Sequence, residues 1–285
     1  MSRLFSLLLI VLLPFSLQAL EVQDDSGKRI TIGQPAMRVI SLAPHVTEQL
    51  FAIGAGGLIV GAVDYSDYPE AAKAIPRVGG YSRLDLERIL ALRPDLVVGW
   101  QSGNSSQQLE RLEELGLILY RSEPRHLEDI ASGMERLGML TGNQGAAQTQ
   151  ATRLRQRVAV LRTAAQGRAP RTLFYQIWNR PLMTVNGEHL INEVITLCGG
   201  RNIFAELPVL TPKVSEEAVI AADPEVIIAS GMGTERPEWL DDWRKWPQLQ
   251  AVKNSALYSI DPNIIQRATP RLLDGAEVMC GLINR

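Results

Sequence analysis

One stretch of the chain occurs twice, and it is the strongest indication of the fold. Residues 86–98 read LERILALRPDLVV, and residues 216–228 read EEAVIAADPEVII. The two copies lie 130 positions apart, and each runs from helix-forming residues through a proline followed by an acid into a short aliphatic stretch. This pattern predicts a helix, a break at the proline and a buried parallel strand. Because the same three features recur in the same order, we expect two lobes of similar topology.

Each copy also carries a glutamate in the first turn of its predicted helix, Glu87 in one and Glu217 in the other. A carboxylate at this position interacts favourably with the helix dipole, and that is its simplest role. Neither copy contains a group of residues typical of catalysis. Two such lobes in one chain indicate a clamp that holds a ligand rather than an enzyme that transforms one.

Residues 1–19 predict a signal peptide. Arg3 supplies a positive start, Leu4–Leu17 is almost wholly apolar, and Ala19 is a small residue at which a signal peptidase could cut. The apolar run is shorter than the roughly 20 residues that a transmembrane helix needs. An uncleaved membrane anchor is the alternative. We therefore expect an exported protein, with no lipid anchor because no cysteine stands at the cleavage point.

Composition excludes several classes of protein. A net charge of −2, with no basic patch, argues against nucleic-acid binding. The sequence has no Gly-x-Ser-x-Gly elbow, zinc-protease helix or Walker loop, which leaves an exported enzyme as a distant alternative. The two cysteines, Cys198 and Cys280, would meet an oxidising compartment, so we expect one disulfide, with two buried free thiols as the alternative.

The order of predicted elements gives the domain organisation. Strands and helices alternate over residues 20–142 and again over 168–285, which predicts two α/β lobes with parallel central sheets. Residues 143–167 carry a long helical pattern without proline, and we expect one helix there that joins the lobes. Residues 25–28 predict the turn of a small hairpin that precedes the first sheet.

Candidate binding residues follow the predicted strands. Ligands of open α/β sheets bind at the carboxyl ends of the strands. The side chains expected there are His45, Tyr65, Tyr81, Trp100, Trp178 and Arg267. An aromatic residue after a strand is more often part of the core. Because several stand in separate loops, with flat apolar faces and polar tips, we expect a cleft for a large, partly planar ligand.

The sequence resembles a known family at several of these positions. It is similar to the cobalamin-binding proteins of vitamin B12 importers, which belong to the helical-backbone, class III group of periplasmic binding proteins for metals, haem and siderophores. The resemblance covers nearly the whole chain after the signal peptide. It rests on Val39–Pro44 with Thr47-Glu48, Tyr65–Pro69, the repeat itself, Gly99-Trp100 with Gly103-Asn104, Cys198–Gly200, and Arg267-Ala268 with Pro270-Arg271.

The resemblance implies a function and assigns roles to residues. It implies a monomer in the periplasm that contacts a corrin through Tyr65, Tyr81, Trp100 and Arg267 and contains a Cys198–Cys280 disulfide. It implies that Glu87 and Glu217 dock onto arginines of an ABC transporter permease dimer in the inner membrane. Cobalamin would be the transported ligand, with no separate cofactor and no catalytic residue.

Three positions depart from the family pattern. Tyr81 stands where a tryptophan is usual, Thr211 where an aromatic residue is usual, and Asn263 where an acid is usual. Haem, a ferric siderophore or a metal is therefore the alternative ligand within the same fold. A divalent-metal site needs several converging histidines and carboxylates. The three histidines do not indicate one, because His126 and His189 are predicted at helix starts, and we expect no metal site.

Overall fold

The structure is a computed structural model that describes residues 19–231, 233 and 235–285. Apart from Ala19, the predicted signal peptide lies outside the described residues. The strands are β1 Leu20–Gln23, β2 Arg29–Ile32, β3 Val39–Ser41, β4 Ile59–Ala62, β5 Gly79–Gly80, β6 Arg83–Leu84, β7 Leu96–Trp100, β8 Leu119–Ser122, β9 Arg171–Gln176, β10 Trp178–Asn179, β11 Leu182–Met183, β12 Gly200–Asn202, β13 Val226–Ala229 and β14 Leu257–Ser259.

The helices are α1 Pro44–Ala52, α2 Leu86–Ala91, α3 Ser106–Glu114, α4 Leu127–Thr141, α5 Gln144–Ala165, α6 Leu190–Leu197, α7 Glu216–Ala222, α8 Gln250–Lys253, α9 Pro262–Ile265 and α10 Leu272–Ile283. Short 3₁₀ helices lie at Gly56–Leu58, Glu70–Ala74 and Glu238–Lys245. In the described part of the chain, no helix combines the length and apolar character needed to cross a membrane.

Two four-stranded parallel sheets form the centres of two α/β lobes. The first has the order β4-β3-β7-β8 and the second the order β12-β9-β13-β14. Numbered within its own lobe, each sheet therefore has the order 2-1-3-4. The predicted fold class, two α/β lobes of similar topology, is confirmed. The predicted hairpin is also confirmed, since β1 pairs antiparallel with β2.

The repeat forms the same local structure in both lobes. Asp85 caps α2 by accepting a hydrogen bond from the Arg88 N–H at 3.0 Å, and Ser215 caps α7 from the equivalent position. Each helix is followed by a residue in the left-handed region just before the proline, with φ 44° at Arg93 and 42° at Asp223. The chain then enters β7 or β13. The proline break predicted from the sequence thus includes a left-handed turn that redirects the backbone.

The acid after the proline accepts backbone hydrogen bonds in both copies of the repeat. Asp95 accepts hydrogen bonds from the backbone N–H groups of Met37 and Arg38, each at 2.9 Å. Glu225 accepts one from the Thr172 N–H at 2.7 Å. These donors lie at the start of the first strand of each sheet, so each acid fixes that strand beside the third strand of its lobe.

Helix α5 joins the lobes. It has 22 residues, or about 33 Å at 1.5 Å per residue. It packs against α4 of the first lobe and against α6 and α10 of the second. Its buried residues Ala147, Ala151, Leu154 and Val158 belong to a core that continues into both lobes, so the lobes are held against a common spine. The lobe limits 20–142 and 168–285 stay a prediction.

The predicted disulfide is confirmed. Cys198 at the end of α6 is bonded to Cys280 in α10, across a sequence separation of 82 residues. Cys198 is fully buried in the common core. The bond therefore connects the first helix of the second lobe to the last helix of the chain.

Candidate functional site

A cleft of about 200 Å³ lies between the lobes, beside the carboxyl ends of both sheets. The first lobe contributes the loops that follow β3, β7 and β8. The second lobe contributes the residues that begin α6 and the loop that follows α9. Residues central to the chemistry of the cleft are His45, Trp100, His189, Gln266 and Arg267.

Three rings form a continuous row on the first-lobe side: His45 in the first turn of α1, Trp100 at the end of β7, and Tyr81 between β5 and β6. His45 meets Trp100 edge to face, with ring centroids 5.5 Å apart and an interplanar angle of 84°. Tyr81 meets Trp100 from the other side at 5.9 Å, tilted by 49°. His45 is buried, whereas Tyr81 is 40% exposed, so the row runs from the interior to the rim. Such a row offers ring edges and ring faces against which an apolar ligand can pack.

Asn104 holds the loops that carry this row. Its side-chain oxygen accepts from the Trp100 N–H at 2.6 Å, and its amide nitrogen donates to the Leu42 and Tyr81 carbonyls at 2.9 and 2.7 Å. Asn104 is itself buried. One amide therefore ties together the chain after β3, the segment between β5 and β6, and the end of β7.

The absence of a side chain at Gly103 leaves room for the Trp100 ring. A Cβ at position 103 would lie 1.9 Å from Cε3 of Trp100, far inside van der Waals contact. The indole thus covers the glycine directly, and any other residue would force the ring to move.

His45 is held as a neutral imidazole. Burial, with the nearby Arg267 charge adding to it, lowers the pKa of His45 from 6.5 to about 4. Its Nε2 lies 3.3 Å from the Ser122 hydroxyl oxygen. His189 occupies the corresponding helix start in the second lobe, where its Nδ1 accepts from the Ile191 N–H at 3.0 Å. Burial lowers the pKa of His189 to about 4 as well. Both therefore bring polar but uncharged rings to the cleft.

Arg267 is paired across the lobes. Its Nη1 donates to Glu48 Oε1 at 2.8 Å and to Asp67 Oδ1 at 3.0 Å, and both acids belong to the first lobe. Burial works against the charge of the guanidinium, but the hydrogen bonds to Glu48 and Asp67 outweigh it and raise the pKa of Arg267. The arginine is thus a fixed cation in the cleft wall.

Arg271 makes a second connection between the lobes. It donates to Glu48 Oε2 at 3.3 Å, and its guanidinium lies 3.7 Å from the centroid of the Tyr68 ring. Gln49 adds a bond from its side-chain nitrogen to the Ala268 carbonyl at 2.7 Å. The loop between α9 and α10 is therefore fastened to α1 at three neighbouring points.

Two predicted site residues lie apart from the row. Tyr65 follows β4 with a φ of 63° and is 71% exposed, two positions before the Asp67 that binds Arg267. Trp178 follows β9 on the small β10–β11 hairpin and donates from Nε1 to the Arg180 carbonyl at 3.0 Å. The structure places both at carboxyl strand ends, and neither lines the enclosed part of the cleft.

The two repeat glutamates are exposed, in the first turns of α2 and α7. The pKa of Glu217 is lowered by hydrogen bonds from the Glu217 backbone N–H and from the Ser215 hydroxyl, so this side chain is a carboxylate at neutral pH. Within the described residues, no group of three or more His, Cys, Asp or Glu side chains is arranged to hold a metal ion.

Sequence reasoning missed the residues that support the cleft. Glu48, Asp67, Asn104 and Arg271 were quoted only as part of family segments. Glu48 offered one signal: with His45, Thr47 and Gln49 it forms a polar run in a helix that is buried almost throughout. Its partners could not be identified, because they stand 219 and 223 positions later in the chain.

Two lobes with parallel sheets, one joining helix, and aromatic and charged side chains at the cleft define a bilobal ligand-binding protein. The chain belongs to the periplasmic binding protein family, whose model matches residues 39–264.

Relatives with known names are similar over most of the chain. The protein is 38% identical over 247 residues to the vitamin B12-binding protein of Vibrio cholerae serotype O1 (strain ATCC 39541 / Classical Ogawa 395 / O395), which covers 86% of this chain and 88% of that protein. The crystal structure of the periplasmic vitamin B12 binding protein BtuF of Vibrio cholerae superposes with a TM-score of 0.81 at 37% identity, covering 88% of this chain and 97% of that one. These matches confirm the resemblance seen in the sequence.

A haem protein shares the fold at lower identity. A periplasmic haem binding protein from Pseudomonas aeruginosa superposes with a TM-score of 0.76 at 25% identity, covering 87% of this chain and 92% of that one.

Proposed function

We propose that this protein binds cobalamin, or a related corrinoid, in the cleft between its lobes and delivers it to the permease of an ABC importer. It does so in the periplasm, as a monomer, without catalysis and without a cofactor of its own. Tyr65, Tyr81, Trp100, Arg267, His45 and Trp178 are the proposed ligand-binding residues.

The observation that carries this proposal is the row of rings formed by Tyr81, Trp100 and His45, together with the names of the relatives. A corrin is a broad, nearly flat macrocycle with polar side arms. The row presents aromatic edges and faces from the buried end to the rim, and Arg267 stands as a fixed donor in the same cleft. Such a site combines an apolar face with a few placed polar groups, as ligand sites commonly do.

The exposed aromatic residues extend this surface outward. Tyr65, Tyr81 and Trp178 remain 71%, 40% and 36% exposed. Because the enclosed part of the cleft is small, a macrocycle would lie against the row with its edge between the rims, and these three side chains would cover that edge. They are drawn from both lobes, which suits a ligand held between two halves.

Delivery is supported by the repeat. Glu87 and Glu217 occupy equivalent first-turn positions of α2 and α7, one on each lobe, and both are exposed. A two-fold permease dimer offers two equivalent surfaces, and one carboxylate on each lobe can meet one basic patch on each subunit. Neither glutamate lines the cleft. We propose that they dock the loaded protein.

Haem is the second candidate, and His45 is the observation in its favour. The imidazole is neutral at physiological pH and lies in the cleft, as a ligand to iron would need to be. Its burial, its edge-to-face contact with Trp100 and its approach to Ser122 favour a role as a ring of the row over a role as an iron ligand.

Calorimetric titration of the exported protein with cyanocobalamin and, separately, with haemin distinguishes the two. We expect stoichiometric binding of cyanocobalamin and no Soret shift with haemin. A Soret shift that is lost in His45→Ala, with no heat from cyanocobalamin, would replace the corrinoid by haem.

A further inference from the structure

A second cavity, larger than the cleft, lies elsewhere in the molecule. About 470 Å³ of space lies farther along α1, where this helix meets the segment around Tyr68, α5 and the start of α10. Its base is apolar, formed by Phe51, Leu154 and Leu273. This volume is in the usual range for a site that holds a small organic molecule.

Three guanidinium groups line the same cavity, from Arg153, Arg157 and Arg271. Arg157 is held by two carboxylates, since its Nη2 lies 2.8 Å from Asp274 and 2.6 Å from Glu277. Arg271 bonds Glu48 through Nη1 alone. Arg153 has no hydrogen-bond or ion-pair partner among the described residues.

The free hydrogen-bonding capacity at this cavity therefore consists mainly of donors. A guanidinium offers five N–H groups, and Arg153 and Arg271 use one between them in contacts within the described chain. The two lining carboxylates, Glu48 and Asp274, already accept from arginines. A ligand would supply acceptor oxygens to these donors and an apolar body to the base.

Tyr68 adds an aromatic wall. Its ring is stacked by Arg271 at 3.7 Å and is 44% exposed, and the partly buried Phe51 lies on the apolar side of the same space. Flat groups pack well against such rings, and guanidinium planes stack on them too.

We propose that this cavity is a second binding site, separate from the cleft, for a small organic anion: an aryl or alkyl group that bears one phosphate or carboxylate. The anionic head lies between Arg153 and Arg271, and the apolar body rests on Phe51 and Leu154. The site stands on its own observations and does not depend on which ligand the cleft binds.

Phenyl phosphate is the probe, with phenol and inorganic phosphate as its two halves, titrated by calorimetry into the exported protein. We expect saturable binding of one phenyl phosphate per protein, and at least about tenfold weaker binding of either half, because each half lacks one of the two sets of contacts. Prior saturation with cyanocobalamin leaves the phenyl phosphate site available.

Two variants and one control locate the binding. Arg153→Gln removes the free guanidinium and weakens phenyl phosphate by about tenfold, since charge-assisted hydrogen bonds are among the stronger ones. Gln150→Trp places a large side chain from α5 in the cavity and abolishes binding. Arg162→Gln removes the same charge from the same helix outside the cavity and leaves binding unchanged.

Three results would overturn the site. One is the absence of phenyl phosphate binding. Another is equal affinity in the wild type, Arg153→Gln and Gln150→Trp. The third is displacement of phenyl phosphate by cyanocobalamin together with its loss in Trp100→Ala, which would place the anion in the cleft instead.

Discussion

Glu48 and Arg267 are joined across the two lobes by a hydrogen bond of 2.8 Å, although 219 residues separate them in the chain. The Glu48 side chain is 2% exposed and that of Arg267 is 16% exposed. The second carboxylate oxygen of Glu48 accepts a hydrogen bond from Arg271, so one buried acid forms ion pairs with two arginines of the other lobe. This pairing fastens the α9–α10 loop to α1, and it therefore also fixes the position of Arg267 in the cleft wall.

Replacing the buried acid tests this connection. Glu48→Gln keeps the shape of the side chain but leaves two guanidiniums without their shared charge, and we expect a loss of about 3 kcal/mol in the free energy of unfolding. Urea denaturation measures it. Glu70→Gln is the control, because Glu70 pairs with Lys73 on the surface and should matter little. Equal, small effects of both substitutions would show that the inter-lobe pair does not hold the lobes.

The placement of the Trp100 ring should control ligand affinity. Trp100→Ala removes the centre of the row, and we expect cobalamin binding to weaken by roughly 30-fold or more, as for a central aromatic anchor. Gly103→Ala keeps the indole but displaces it, because a Cβ there would lie 1.9 Å from the ring, and we expect a loss of about tenfold. Calorimetry gives both values. Gly145→Ala, where a Cβ meets nothing within 4 Å, is the matched control. Unchanged dissociation constants for cobalamin in both variants would show that Trp100 does not contact the ligand.

Substitution of the two repeat glutamates should impair docking to the permease without weakening cobalamin binding. With Glu87→Ala and Glu217→Ala combined, we expect unchanged cobalamin affinity, because neither residue lines the cleft, and strongly reduced uptake through the permease. Uptake of labelled cobalamin by cells carrying the variant is the measurement. Glu114→Ala with Glu235→Ala removes the same charges elsewhere on the two lobes and should leave uptake intact. Normal uptake in the Glu87 and Glu217 variant would end the docking assignment.

Stability should fall as the pH drops below neutrality. The pKa of His45 is lowered from 6.5 to about 4 in the folded protein, so on acidification the unfolded chain takes up the proton first. The stability due to the neutral ring is therefore complete above about pH 6.5 and is lost as the pH approaches 4. Each such histidine accounts for about 2 kcal/mol between about pH 7 and about pH 5, and His189 behaves in the same way.

Variants assign that pH dependence to particular rings. Urea midpoints measured across this range should change less with pH in His45→Gln than in the wild type. A wild-type slope in His45→Gln would mean that folding does not lower the pKa of His45.

The disulfide should contribute to stability. Because it closes a separation of 82 residues, the chain-entropy account predicts about 4 kcal/mol for the Cys198–Cys280 bond. We expect reduction, or Cys198→Ala with Cys280→Ala, to lower the melting temperature while cobalamin still binds at low temperature. An unchanged melting temperature after complete reduction, verified by thiol titration, would contradict this.

Much of the fold was predictable from short stretches of sequence. The repeat predicted a helix, a break and a buried strand in each lobe, and the structure has them at Leu86–Trp100 and Glu216–Ala229. What the pattern did not reveal is the left-handed turn, which Asp223 adopts readily but Arg93 adopts only against its preference. The matching acids were visible as a pair, yet their role in fixing the first strand of each lobe was not.

Residues a few positions apart dictate which segments become helices and strands and where these elements break, and they make the two halves of the chain recognisable as similar. The cleft, in contrast, is assembled by segments that meet only in the folded molecule. The ring row comes from three separate segments, Asn104 binds backbone from two distant segments, and Glu48 pairs with arginines more than 200 positions away. Such contacts depend on the order of the strands and on both lobes packing against α5, so no local pattern contains them.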